Sequence, residues 1–136
     1  MDQTAVILLD THALVWMTTE PDRLSPVARR AIAAAAREGG TGIAAITLLE
    51  LAVLFVRARL RAAGPTAAAV NRIVAAANAV VHPLTPEIAA LAAEFAAPFP
   101  GDPADRLIAG TARAHGWPLI TRDAAIRASG QVRCIW

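Results

Sequence analysis

Asp10 closes the apolar run Ala5-Val6-Ile7-Leu8-Leu9, and three further acids recur in comparable settings. Glu50 lies in Thr47-Leu48-Leu49-Glu50, Asp105 in Asp102-Pro103-Ala104-Asp105, and Asp123 in Leu119-Ile120-Thr121-Arg122-Asp123. Each stands where the pattern puts the end of a strand or the start of a helix. In a parallel sheet those places lie on one edge, and four carboxylates gathered there repel one another in low dielectric unless a cation holds them. Oxygen-only donors at a partly solvated edge select Mg2+ or Mn2+. The pattern therefore points to metal-dependent chemistry. His12, His82 and His115 show no zinc-type spacing with one another or with Cys134.

Each acid also has a structural explanation when taken alone. Thr47-x-x-Glu50 has the form of a capping box, with Glu50 reaching back to the Thr47 amide. Asp102 is a natural N-cap before Pro103, and Asp105 in the first turn suits the helix dipole. Asp123 can cap a helix after its strand. Asp10 is the hardest to assign this way, because an acid ending a buried strand loses solvation and needs a partner. Capping and cation binding are compatible, since a carboxylate has two oxygens. His12 either lines the site or fixes the turn after Asp10. Arg106 and Arg122, beside the acids, either contact phosphates or orient the carboxylates through ion pairs.

The elements that must position these residues alternate. Residues 5–10 read as a buried strand, followed by a short helix through Trp16. Ser25-Pro26 opens a helix to about Glu38, which Gly39-Gly40 stops. A second strand covers Gly42 to Ile46. Thr47 is expected to cap a long helix to about Arg61, whose end carries the basic tract Arg57, Arg59 and Arg61. Another helix covers Thr66 to Asn78. The third strand is Val80 to Leu84, and Pro83 puts it at an edge or marks its end. A helix from Thr85 ends before Pro98. The Asp102-Pro103 helix runs to His115 and stops at Gly116. Leu119 to Thr121 is a fourth strand, a short helix starts near Asp123, and Val132 to Ile135 is a fifth strand. Strands alternating with helices imply an α/β fold with a parallel sheet sandwiched by helices. Right-handed crossovers put every strand's C-terminal end on the same edge, where ligands bind in such sheets.

Composition bounds the alternatives. The chain has 136 residues, 56% apolar and 18% charged, which suits one globular domain able to bury a core. Net charge is +2, and all thirteen basic residues are Arg. Without Lys, P-loop and Schiff-base chemistry are excluded. The single cysteine, Cys134, excludes an internal disulfide and reads as a small core residue. Met1-Asp2-Gln3-Thr4 lacks the basic region of a signal peptide, and no uncharged apolar run is long enough to span a bilayer. A cytoplasmic location with no membrane contact is the expectation.

Taken in series, Leu8-Leu9-Asp10-Thr11-His12-Ala13-Leu14-Val15-Trp16, Thr47-Leu48-Leu49-Glu50-Leu51, Asp102-Pro103-Ala104-Asp105-Arg106-Leu107-Ile108-Ala109 and Leu119-Ile120-Thr121-Arg122-Asp123 resemble the PIN-domain ribonucleases. Within these, the chain looks like the VapC-type toxins of bacterial toxin–antitoxin pairs. The resemblance spans nearly the whole chain, with the motifs in order. It implies a three-layer PIN-like sandwich of about five parallel strands, with 1–136 as a single PIN domain. It also implies an Mg2+-dependent endoribonuclease (Mn2+ serving as an alternative ion) that leaves a 5′-phosphate and a 3′-hydroxyl. Asp10, Glu50, Asp105 and Asp123 match the family's acidic quartet, and Asp10 and Asp105 match its most regular metal ligands. Thr121 matches a hydroxyl residue beside the fourth acid, and Asp102 an extra acid of the third motif. The resemblance implies an RNA substrate, a homodimer, and a cognate VapB-type antitoxin whose C-terminal segment occupies the groove. Leu48, Leu51, Leu54 and Phe55 either offer that segment an apolar surface or belong to the core.

Other functions remain open on sequence. The acids could form a non-catalytic protein-binding module for a basic peptide, which cation binding and cleavage would exclude. A PIN nuclease of RNA maturation would share every motif, and a neighbouring gene for a short antitoxin would favour the toxin. Aspartate-based phosphatases and receiver domains also put Asp at a strand end, but they use a Lys. A Rossmann domain needs a Gly-rich first turn, and Asp10-Thr11-His12-Ala13 is not one.

Overall fold

The computed structural model describes residues 6–136. Ala5, expected to open the first strand, and the N-terminal Met1–Thr4 segment lie outside the described residues. The alternation read from sequence is realised as β1 (Val6–Leu9), α1 (Thr11–Thr19), a 3-10 turn (Pro21–Arg23), α2 (Pro26–Arg37) and β2 (Gly40–Ala44). There follow α3 (Ala45–Val56), α4 (Thr66–Ala76), β3 (Ala79–His82), α5 (Pro86–Glu94), α6 (Pro103–His115), β4 (Leu119–Ile120), α7 (Ala124–Ser129) and β5 (Cys134–Ile135).

The five strands form one sheet in the order β3-β2-β1-β4-β5, and every pairing is parallel. β1 is central: Leu8 pairs with Gly42 on one side and Leu119 on the other. Successive side chains of a strand point to opposite faces, so β1 feeds two cores. Ile7 and Leu9 join Leu14, Ile32, Ile43, Leu51 and Ile120 beneath α1–α4. Leu8 joins Phe95, Phe99, Ile108, Leu119 and Ile126 beneath α5–α7. Burying each such aliphatic side chain contributes about 1.5–3 kcal/mol, which is why β1 is almost wholly apolar until Asp10.

Helix ends follow local chemistry. Ser25 accepts a hydrogen bond from the Ala28 amide at 3.0 Å, and Thr85 accepts one from Ile88 at 3.2 Å. Gly116 takes the left-handed conformation, φ 72°, that ends α6. α6 leads directly into β4, so its N-terminus lies at the C-terminal edge of the sheet. Asp105 therefore reaches that edge from a helix–helix connection rather than from the end of a strand.

Several expected boundaries move. β2 begins at Gly40 rather than Gly42, and α3 begins at Ala45, before Thr47. Thr47 is therefore inside the first turn, fully buried, and is no cap. α3 stops at Val56, so Arg57, Arg59 and Arg61 lie in the turns that follow rather than on a helix. α4 ends at Ala76, β3 covers Ala79–His82, and β5 is reduced to Cys134–Ile135. β3 is an edge strand, as Pro83 indicated. Leu51 is core, while Leu48, Leu54 and Phe55 are half-buried against it. The exposed apolar side chains of α3 are instead Leu49, Val53 and Val56. Cys134 is half-buried, and burial pushes its thiol up to about 11. Among the described residues no helix is long and apolar enough to cross a membrane.

α5 and α6 pack closely at Gly110. A Cβ there would stand 3.1 Å from the Ile88 carbonyl oxygen and 3.4 Å from the Ala92 amide nitrogen. These are backbone atoms of a neighbouring helix and cannot swing aside. Gly110→Leu is expected to destabilise the fold by about 1–3 kcal/mol through overpacking, read as a lower urea midpoint at an unchanged m-value.

Candidate active site

At the C-terminal edge, the strand order reverses at β1, so the ends of β1 and β4 flank the switch point. Asp10 follows β1. Its backbone N–H donates to the Ile120 carbonyl at 3.1 Å, and its Oδ1 accepts from the Ala13 amide at 2.7 Å, capping α1. Most of its carboxyl is enclosed by protein, and this burial raises its pKa above the ordinary value. The Thr121 hydroxyl, the Ala13 amide and the charge of His12 oppose that rise, and Glu50 adds to it.

Thr121 is fully buried just past β4. Its hydroxyl bonds to Asp10 and accepts from the Asp123 amide at 3.1 Å. One small side chain thus ties the ends of β1 and β4. Asp123 caps α7, its Oδ1 accepting from Ile126 at 2.9 Å.

Glu50 forms no capping box. Its Oε1 instead accepts a short hydrogen bond from the Thr11 hydroxyl at the start of α1. Thr11 and Thr47 stand 3.1 Å apart, oxygen to oxygen, both buried. A hydroxyl has one proton, and that of Thr11 goes to Glu50, so Thr47 is the donor to Thr11. The relay Thr47–Thr11–Glu50 fixes Glu50 from α1 and α3 together. Thr11 and Thr47 were not singled out as site residues in the sequence. Two threonines in first turns after strands were the available signal.

Asp105 lies in the first turn of α6, behind Asp102, which caps that helix through the Ala104 amide at 2.9 Å. The Asp105 carboxyl is pushed up to about 6, first by burial and then by the charges of Asp102, Asp123, Glu50 and Asp10. These five acids line one open cavity of about 730 Å³, together with Glu20, His12 and Arg122. His12 is exposed at the rim, its ring 5.7 Å from that of Trp16.

Arg106 pairs with none of the acids among the described residues. Its guanidinium donates to the carbonyls of Pro100 at 2.8 Å, Ala92 at 3.0 Å and Phe95 at 3.1 Å. It stitches α6 to the end of α5 and the loop between them, away from the acids. Arg122 makes no ion pair among the described residues. Its Cζ lies over Trp16, 5.9 Å from the ring centroid.

The donor set is oxygen-only and suits a hard divalent cation. Among the described residues no three His, Cys, Asp or Glu side chains already converge as a closed metal-binding group. Asp10 and Asp123 each turn one oxygen to a helix amide, and Glu50 turns one to Thr11. The carboxylate oxygens outside those hydrogen bonds are the ones that would hold a divalent cation.

A family profile for the PIN domain matches residues 7–130. The chain belongs to the PIN-domain family. Ribonuclease VapC22 of Mycobacterium tuberculosis is 40% identical over 121 residues, which is 89% of each chain. Among solved structures, FitAcB from Neisseria gonorrhoeae is 25% identical with a TM-score of 0.60, covering 94% of this chain and 95% of that one. VapBC2 from Rickettsia felis, bound to a DNA fragment from its promoter, is only 13% identical but has a TM-score of 0.70 over 95% and 96% of the two chains. That likeness is one of fold.

Two outcomes follow. The folded Asp105 carboxyl holds its proton to about 6, against 3.8 when unperturbed. Between those values the folded state binds more protons than the unfolded one, so stability falls as pH rises through that window. In metal-free buffer Asp105→Asn is expected to be more stable than wild type above pH 6. The gain, discounted for partial exposure, is about 1 kcal/mol, and it closes as pH falls toward 4; thermal melts across pH read it. Arg106→Met leaves carbonyls at the end of α5 without their donor, and is expected to cost about 2–4 kcal/mol in chemical denaturation.

Proposed function

We propose that this chain is a Mg2+-dependent endoribonuclease, the toxin of a VapBC-type toxin–antitoxin pair, built as a single PIN domain over 1–136. The observation that carries this is the gathering of Asp10, Glu50, Asp105 and Asp123 on one cavity, with Asp105 pushed up to about 6 by burial and by its acidic neighbours. Divalent-metal use goes with the family to which the chain belongs. Mg2+ is the finer assignment and Mn2+ the alternative, both favoured by an all-oxygen donor set.

Asp10 and Asp105 are the principal ligands in this scheme, and Glu50 and Asp123 complete the set. A bound divalent cation supplies the charge that lets a phosphodiester approach four carboxylates and the acidity that activates water for in-line attack. The chain's own residues prepare that event. Thr11, backed by Thr47, holds Glu50 against the repulsion of its neighbours. Thr121 holds Asp10 and the Asp123 backbone at a fixed separation. Asp102 caps α6 and adds negative charge behind Asp105.

A VapB-type antitoxin and a homodimeric assembly belong to this proposal. VapC22, the 40% identical relative, is named a ribonuclease, and the FitAcB and VapBC2 folds superpose over nearly the whole chain. Action in the cytoplasm is part of it too, in keeping with a lone, unpaired cysteine. A PIN nuclease of RNA maturation would carry the same site.

The test is cleavage of a mixed RNA pool. Wild type with Mg2+ is expected to cut, and Asp10→Asn or excess EDTA to lower the rate at least about 100-fold. Cleavage that survives both changes would contradict the assignment.

A further inference from the structure

The rim of the acidic cavity carries an arrangement that the carboxylates do not explain. Two guanidiniums lie over one indole: the Arg23 Cζ is 4.7 Å and the Arg122 Cζ 5.9 Å from the centroid of the Trp16 ring. Trp16, on α1, is only 8% exposed, with the Trp136 ring 5.9 Å away. Arg23 comes from the 3-10 turn and Arg122 from the turn after β4, so two separate segments bring like charge to one buried aromatic. Both arginines and Trp16 line the same cavity as the acids.

Like charges brought to one ring repel, and little offsets this: among the described residues the one salt bridge, Arg23 to Glu20, spans 3.9 Å between half-exposed side chains. Such a surface pair is weak. Cation–π contact also has a chemical consequence. A carboxylate partner occupies the in-plane N–H donors of a guanidinium, whereas attraction to an aromatic ring does not consume them. Two guanidiniums gathered at one ring, with only the long Arg23–Glu20 pair to a carboxylate among the described residues, suit one oxyanion with several acceptor oxygens, and a phosphate is such a group.

We propose that Arg23 and Arg122 jointly bind a backbone phosphate of single-stranded RNA adjacent to the one at the acids, and that Trp16 is the positioning residue that holds both. This rests on the nuclease assignment above. It makes the rim the place where a strand is registered before it meets the acidic centre. The position of Arg122, directly before Asp123 in sequence, ties the spacing of the two phosphates to the backbone of one turn.

The test combines steady-state cleavage of a mixed-sequence single-stranded RNA pool with equilibrium RNA binding by an Asp105→Asn protein across salt concentrations. Arg23→Gln and Arg122→Gln are each expected to raise KM about fivefold to tenfold with kcat within about twofold, a loss of uniform binding. The slope of log affinity against log salt is expected to become shallower by about 0.7, the value for one phosphate contact on a single strand. Because both arginines serve one phosphate, the double variant is expected to lose no more slope than either alone. Trp16→Leu keeps both charges and frees them, so it is expected to raise KM while leaving the slope near that of wild type. Should Trp16→Leu fail to fold, the two arginine variants decide the matter alone.

Unchanged KM and slope in both arginine variants would overturn the proposal, as would a fall in kcat at constant KM. Intact RNA binding with lost affinity for a poly-glutamate peptide would overturn it in favour of an acidic protein partner. If wild type cleaves no RNA, the nuclease assignment fails separately. The binding arm then still decides the phosphate site: a shallower slope supports it, and an unchanged slope or no RNA binding overturns it.

Discussion

The mutual repulsion of carboxylates on one sheet edge is the constraint around which this molecule is arranged. β1 runs apolar through both cores and ends on Asp10 at the point where strand order reverses. α6 must enter β4 from the opposite direction, which brings its acidic first turn to the same edge. Burial and neighbouring charge together push the Asp105 carboxyl up to about 6. Helix N-termini partly offset this, since α1, α6 and α7 each present backbone N–H groups and the positive end of a dipole to an acid. The same acids that repel one another are therefore also the caps that hold three helices in place.

That double use governs what surrounds them. The side chains bonded directly to the acids are neutral hydroxyls, Thr11 and Thr121, which orient a carboxylate without cancelling its charge. Arginines next to the acids in sequence are led elsewhere. Arg106 satisfies three backbone carbonyls on the far side of α6, and Arg122 lies on Trp16. A guanidinium among the carboxylates would neutralise them and fill the space that a cation and a phosphate need. Among the described residues none of these arginines pairs with the central acids, so the negative charge there is left for a cation.

Much of this was legible in the sequence because it depends on local chemistry. The Asp102-Pro103 start and Gly116 stop define α6, and the structure places its ends where those residues put them. Apolar runs ending in Asp10 and Thr121 gave the sheet edge. Thr47 misled because a Ser/Thr-x-x-Glu pattern looks the same whether the hydroxyl caps a helix or is buried by another one. Only the approach of Thr11, distant in sequence, decides that Thr47 turns inward. The same holds for Arg106, whose acceptors lie at the end of a different helix. The basic tract after α3 continued a helical pattern on paper, but the helix ends at Val56 and Ala58 takes a positive φ of 56°. Of Leu48, Leu51, Leu54 and Phe55, for which the sequence allows either a surface or a core place, Leu51 belongs to the core, because which face of α3 meets the sheet is a tertiary fact.

The most direct measurement is the pKa of the Asp105 side chain, followed by carboxyl carbon NMR in EDTA and again with saturating Mg2+. Burial and four acidic neighbours require a value near 6 without metal, and a marked fall when a cation joins the site. An ordinary value near 3.8, unmoved by Mg2+, would mean that the acids neither repel nor share a cation, and would contradict the account.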